Sequence, residues 1–87
     1  MFVAELYING NSIGYLQGNY SYETTKDLNN AYITSDLTQL KKKMDYIVDK
    51  TDFDDNDFYY EIIQYELKEQ KRYKPKNQFS DDLEIVE

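Results

Sequence analysis

The sequence predicts a small α+β protein in which one amphipathic helix packs on one face of an antiparallel β-sheet. Three stretches support this: an alternating apolar pattern at the start, one helical repeat in the middle, and a second alternating pattern after it. A chain of 87 residues is long enough for one domain with a modest core. The predicted order of elements is β-β-β-α-β.

The first two strands are predicted to form a hairpin. Residues 2–8 place apolar side chains at the even positions, and residues 12–17 form the returning strand. Asn9 and Gly10 lie between them, and this dipeptide accepts the positive φ angles of a tight hairpin turn. Gly14, inside the second strand, indicates a bulge or a close approach of the backbone.

A polar segment, residues 18–30, is predicted as a loop that holds either a strand extension near residues 20–22 or a binding surface. Residues 31–34 are predicted as a short third strand. Ser35 is predicted as the N-cap of the helix, and Asp36 in the first turn suits the positive end of the helix dipole.

The helix is predicted from one apolar face, formed by Leu37, Leu40, Met44, Ile47 and Val48. Polar and charged residues, Lys41 among them, are expected on the rest of its surface. The last strand is predicted over residues 58–69, with apolar side chains on both faces. Such a strand is either central in a sheet or buried on a second packed surface such as a dimer interface.

The domain is predicted to end at residue 69, so that it spans residues 1–69. Residues 70–87 are predicted as a charged, flexible C-terminal tail, because charge is clustered there around Pro75.

Negative charge is concentrated in the second half of the chain. Eight acidic residues and one lysine lie between Asp45 and Glu66, and the whole chain has a net charge of −7. Such a surface attracts cationic partners and repels nucleic acid. The basic run 68–76 is the one candidate for nucleic-acid contact, but it is short and flanked by acid.

The composition argues against catalysis and against a bound metal or cofactor. The chain has no histidine and no cysteine, which removes the commonest general base and the usual thiolate ligands. Asp52, Asp54 and Asn56 have the spacing that opens an EF-hand loop, yet Asp57 occupies the position of the required glycine. A solvated acidic loop is the expectation, and no enzyme activity is predicted.

Ten tyrosines offer two interpretations. Most are expected to fill the core and cover the sheet, since tyrosine suits strands. Exposed tyrosines beside charge would instead mark a protein interface. The candidate partner-binding residues are Asp45, Asp49, Asp52, Asp54, Asp55, Asp57, Tyr59, Tyr60 and Glu61.

Three segments carry a resemblance: FVAELYINGNSIGYL at the start, AYITSDLTQLKKKMDYIV in the middle and FYYEIIQYELKE near the end. Together they resemble small accessory proteins encoded by phages and prophages of low-GC Gram-positive bacteria. That group includes anti-CRISPR proteins and other inhibitors of host defence. The resemblance lies in style and order of elements, and no functional residue is carried over from it.

The expected function is therefore an acidic, non-enzymatic inhibitor that acts in the bacterial cytoplasm. It would occlude a basic, nucleic-acid-binding surface of a host protein, a CRISPR effector being one example. The alternative is a self-associating phage module with a dimer interface on strand 58–67, and monomer and homodimer both stay open. No membrane association is expected, since the apolar runs are short and no signal peptide is evident.

Overall fold

A computed structural model of the protein describes residues 1–17, 23–50, 57–66, 69–76 and 82–86. It confirms the α+β class, with one α-helix and one antiparallel six-stranded sheet among these residues. The elements are β1 Phe2–Ile8, β2 Asn11–Leu16, β3 Thr24–Thr25, α1 Leu37–Lys50, β4 Phe58–Tyr65, β5 Gln70–Pro75 and β6 Leu83–Ile85. The order of the strands across the sheet is β3-β2-β1-β4-β5-β6. A short 3-10 helix covers Leu28–Asn30.

The hairpin between β1 and β2 forms as predicted. Asn9 and Gly10 have φ angles of 52° and 81° at the turn. The pairing register shifts beyond Leu6, which pairs with Gly14. Gly14 has a φ of 114°, and a Cβ there would lie 2.7 Å from the Thr25 carbonyl oxygen. The glycine therefore allows both the bulge and the close approach of β3.

The two central strands, β1 and β4, pair from Phe2 with Gln64 to Ile8 with Phe58. The side chains on one face of this pair meet the buried face of α1. Their contact forms the hydrophobic core because both surfaces are apolar. The core consists of Ala4, Leu6, Leu16, Leu40, Met44, Ile47, Val48, Phe58, Tyr60 and Ile62.

The helix differs from the sequence-based prediction at two positions. Asp36 is the N-cap in place of Ser35, since its Oδ1 accepts the Gln39 N–H at 3.2 Å and its carbonyl accepts the Leu40 N–H at 3.2 Å. Lys41, predicted on the polar side, is 8% exposed. Its aliphatic stem is buried between the helix and the sheet.

The predicted third strand at residues 31–34 is wrong, and Thr24–Thr25 forms the third strand instead. Thr34 alone pairs with Phe2, with hydrogen bonds of 2.6 and 3.0 Å between their backbones. Thr34 can pair there because the ladder of β2 on β1 ends at Glu5 and does not reach Phe2. The predicted strand extension at 20–22 lies outside the described residues.

The predicted end of the domain at residue 69 is also wrong, because the described residues that follow it belong to the sheet. β5 pairs with β4 and β6 pairs with β5, so the sheet continues to Ile85. Leu83 packs against the core cluster. Pro75 is tolerated because the ladder between β4 and β5 ends at Tyr73, so its missing N–H interrupts no bond to β4.

The strand that precedes β5 is shorter than predicted. β4 ends at Tyr65, and the Glu66 N–H donates to the Glu69 carbonyl oxygen at 2.9 Å. Within the described part of the chain, no helix has the length and apolar character needed to cross a membrane.

The N-cap assignment can be tested with a matched pair of variants. Asp36→Ala should lower the free energy of unfolding by about 0.5–2 kcal/mol, because the Gln39 N–H loses its acceptor. Ser35→Ala, next to it, should change stability by less than about 0.5 kcal/mol. Urea titrations followed by circular dichroism would measure both, and a larger loss from Ser35→Ala would contradict the assignment.

Candidate functional site

Successive side chains of β4 point to opposite faces of the sheet, and the two faces form different surfaces. Phe58, Tyr60 and Ile62 point toward α1, so Tyr59, Glu61 and Ile63 lie on the opposite side, here called the outer face. On the paired strands, the outer face carries Val3, Glu5, Tyr7, Tyr15 and Arg72. Val3 and Ile63 are 0% exposed, so the outer face has its own buried centre.

A hydrogen-bonded group, here called the Arg72 cluster, consists of Glu5, Tyr7, Ser12, Glu61 and Arg72. Arg72 Nη1 donates to Glu5 Oε1, to Glu61 Oε1 at 2.9 Å and to the Tyr7 hydroxyl at 3.2 Å. The Tyr7 hydroxyl lies 3.0 Å from Oε1 of each glutamate, and Ser12 Oγ donates to Glu5 Oε2 at 2.6 Å. The cluster therefore connects β1, β2, β4 and β5.

The pKa values of the cluster follow from these contacts. Burial alone would raise the pKa of Glu5, but hydrogen bonds from Ser12, Arg72 and Tyr7 outweigh it and hold that pKa below its ordinary value of 4.5. Burial raises the pKa of Tyr7, and its hydrogen bonds to Glu5 and Glu61 raise it further. Burial opposes the charge on Arg72, yet the two carboxylates raise the pKa of its guanidinium.

At neutral pH, these shifts keep Glu5 and Arg72 charged and Tyr7 protonated. An ionised glutamate and a protonated tyrosine, both far from their titration ranges, are poorly suited to exchange protons with a substrate. Two carboxylates share one guanidinium, which leaves negative charge in excess within the cluster. The cluster is best suited to holding four strands in register and to setting the charge of this face.

Aromatic rings flank the cluster. The rings of Tyr7 and Tyr59 stack with centroids 4.7 Å apart and an angle of 3° between their planes. Both side chains are half-buried, as are Tyr15 and Tyr65 on the same face. Burial, followed by the influence of the Tyr15 hydroxyl, raises the pKa of Tyr65. Half-exposed tyrosine rings held in fixed positions are typical of protein-binding surfaces.

Two of the nine predicted partner-binding residues are buried. Tyr60 is 0% exposed in the core, where its hydroxyl lies 2.6 Å from Lys41 Nζ. Glu61 is 8% exposed and is bound by Arg72 and Tyr7. The prediction that these two side chains contact a partner is wrong, because neither offers free surface for contact.

The remaining candidates do not form one surface within the described residues. Asp45 and Asp49 lie on α1, on the other side of the sheet from Tyr59, and Asp45 Oδ1 is 3.8 Å from Lys41 Nζ. Asp57 is half-buried just before β4, and its carbonyl accepts the Asn9 N–H at 2.8 Å. Asp52, Asp54 and Asp55 lie outside the described residues. Where the structure describes the chain, no three acidic side chains are grouped to hold a metal.

The sequence-based analysis missed Glu5, Tyr7, Ser12 and Arg72. Two signals were available in the sequence. Glu5 and Tyr7 share the odd-numbered face of an otherwise apolar strand, and Arg72 is the only arginine in the chain. A single arginine among nine lysines indicates a position where a guanidinium is needed for hydrogen bonding.

The chain was compared with known proteins. It matches no protein-family model, and neither the curated proteins nor the solved structures gave a significant match.

The role of the Arg72 cluster can be tested by removing its cation. Arg72→Gln should lower the free energy of unfolding by about 1–3 kcal/mol at neutral pH, since Glu5 and Glu61 then face each other without a counter-ion. Lys74→Gln on the same strand is the matched control, because Lys74 is exposed. It should change stability by less than about 0.5 kcal/mol.

The pH dependence supplies a second readout of the same variant. The lowered pKa of Glu5 contributes stability above its ordinary value of 4.5, and this contribution is lost as pH falls through the lowered pKa. The difference in unfolding free energy between wild type and Arg72→Gln should therefore shrink below pH 4.5. A difference that stays constant between neutral pH and pH 3 would show that Arg72 acts through packing alone.

Proposed function

We propose that this protein is a phage-encoded, non-enzymatic binding protein that occludes a basic, nucleic-acid-binding surface of a host defence protein, in the manner of an anti-CRISPR. The observation that carries the proposal is the distribution of charge. The net charge is −7, and eight acidic residues lie between Asp45 and Glu66. Arginine and lysine side chains that bind phosphates also bind carboxylates, so an acidic protein can compete for them.

The folded scaffold supports this proposal at both ends of the most acidic segment. Asp49 is exposed in the last turn of α1, and Asp57 lies immediately before β4. Residues 51–56, which contain three further aspartates, lie in the sequence between these two elements, α1 and β4. A fixed scaffold lowers the entropy lost when a charged segment binds.

A second candidate function is self-association through the outer face. The specific observation in its favour is the stacked Tyr7 and Tyr59 pair, half-buried on the side of the sheet opposite α1. Half-exposed aromatic rings contribute contact area at a low cost in side-chain entropy. In this case the second apolar surface of β4 would be covered by another copy of the chain.

The two candidates predict opposite responses to salt. Binding of an acidic protein to a basic partner weakens as salt rises, because salt screens their attraction. Two copies that each carry a net charge of −7 repel one another, so their association should strengthen as salt rises.

The experiment is capture from a low-GC Gram-positive host lysate by immobilised protein at about 50 mM and about 500 mM salt, with light scattering of the pure protein at the same salt concentrations. We expect nucleic-acid-binding proteins to be captured at low salt and released by added nucleic acid. A triple variant with Asp52, Asp54 and Asp55 changed to Asn should lose at least about tenfold in capture, whereas a monomeric mass should persist throughout.

The matched control removes three charges elsewhere, by changing Glu23, Glu69 and Glu87 to Gln. It should retain capture within about threefold of wild type, since it has the same net charge as the triple variant. Equal capture by the triple variant and wild type would contradict the proposed site. A dimeric mass that grows with salt, together with salt-independent capture, would favour the second candidate.

A further inference from the structure

Among the described residues, β6 has a neighbouring strand on one side only, so the backbone groups on its other edge could pair with an added strand. β6 is the last strand in the sheet order and pairs on one side with β5. The Val86 N–H donates to the Arg72 carbonyl at 2.9 Å, and the Lys76 N–H donates to the Asp82 carbonyl at 3.3 Å. Residues 82 and 86 therefore direct their backbone groups toward β5.

In an antiparallel ladder, the direction of the backbone groups alternates along each strand. Glu84 lies midway between residues 82 and 86 and pairs with Lys74, so its backbone N–H and C=O groups also face β5. Leu83 and Ile85 consequently direct their N–H and C=O groups to the outer edge. An edge of this kind is a template for the addition of a strand.

The side chains of β6 give this edge a definite chemistry. Leu83 is half-buried against the core, and Ile85 on the same side is 65% exposed. Asp82 and Glu84 are both exposed and lie on the other side of the strand. The strand therefore alternates acidic and apolar residues, and the β-branched Ile85 is largely exposed.

Space for an added strand exists beside the apolar side of β6. A cavity of about 450 Å³ opens between α1 and β6, lined by Leu37, Thr38, Lys41, Lys42, Asp45 and Leu83. A side chain from a strand placed beyond Leu83 would point to the same side of the sheet as this cavity. Apolar side chains there could pack beside Leu37 and Leu83, which both line this cavity.

We propose that the outer edge of β6 is the docking edge for an extended, basic segment of the partner protein, which adds as a further strand with alternating apolar and basic residues. Its apolar side chains pack beside Leu83 and Ile85. Its lysines or arginines lie opposite Asp82 and Glu84. The basic character of this segment rests on the proposed function, whereas the strand addition rests on the geometry of β6.

Charge complementarity favours this occupant over a second copy of the chain. Antiparallel pairing of two β6 strands about their centres would place Glu84 of one copy against Glu84 of the other. Like charges directly opposite one another destabilise a strand pair, and each chain also carries a net charge of −7. A basic strand would instead place a lysine or arginine opposite Glu84.

The experiment uses blocked peptides of about nine residues as probes: alternating valine and lysine, alternating valine and glutamate, and the valine–lysine composition arranged in blocks. Amide chemical shifts of the full chain report binding. The alternating valine–lysine peptide should shift the amides of residues 82–86 most. Its Kd should be at least about tenfold lower than those of the other two peptides.

Three variants at the edge sharpen the test. Ile85→Pro removes the N–H that faces the edge without removing a bond to β5, and should weaken binding at least about tenfold. Ile85→Thr keeps the N–H and the branched side chain, and should bind within about threefold of wild type. Glu84→Lys should shift the preference to the valine–glutamate peptide, which keeps the test valid if Ile85→Pro unfolds.

The proposal is overturned if the three peptides bind alike, if the largest shifts lie away from β6, or if Ile85→Pro binds as well as wild type in a folded state. In these cases the acidic edge acts only as protection against aggregation. Failure of the proposed function is separate. If the protein binds the valine–lysine peptide at β6 but captures no nucleic-acid-binding protein, the docking edge is supported and the proposed partner is contradicted.

Discussion

The pairing of β1 with β4 is the interaction on which the rest of the structure depends. It runs in one register from Phe2 with Gln64 to Ile8 with Phe58. This register sends Tyr60 into the core and Glu61 to the outer face, where Arg72 reaches it. A shift of one residue would exchange the two faces of the strand, so the buried apolar side chains specify the register strongly.

That register also determines on which side of the sheet the acidic side chains lie. The acids of α1 lie on one side of the sheet, while Glu5 and Glu61 lie on the other with Arg72 between them. Acids that are adjacent in the sequence are therefore separated in space. Among the described residues, Asp49 and Glu84 are exposed acids on different elements, α1 and β6.

The sequence predicted the features that depend on local patterns. The hairpin followed from Asn9 and Gly10, and the helix followed from the spacing of Leu40, Met44 and Ile47, since each signal lies within a few residues. The N-cap was misplaced by one residue because Ser35 and Asp36 are both suitable capping residues.

Features that depend on distant contacts could not be predicted in the same way. Glu5 and Arg72 are 67 residues apart in the chain, and only the order of the strands brings them together. The same holds for β5 and β6, whose charged composition suggested a tail. Those strands form because β4 offers an edge for pairing, which local composition does not reveal.

Amide hydrogen exchange along β4, β5 and β6 tests most directly the claim that the sheet extends through β6 with an open edge. The Val86 N–H should exchange slowly because it donates to Arg72, and the Ile85 N–H next to it should exchange as an unprotected amide. The amides of β4 should be protected up to the global unfolding free energy. Rapid exchange at every residue from 70 to 86 would contradict the account and restore a tail beyond residue 69.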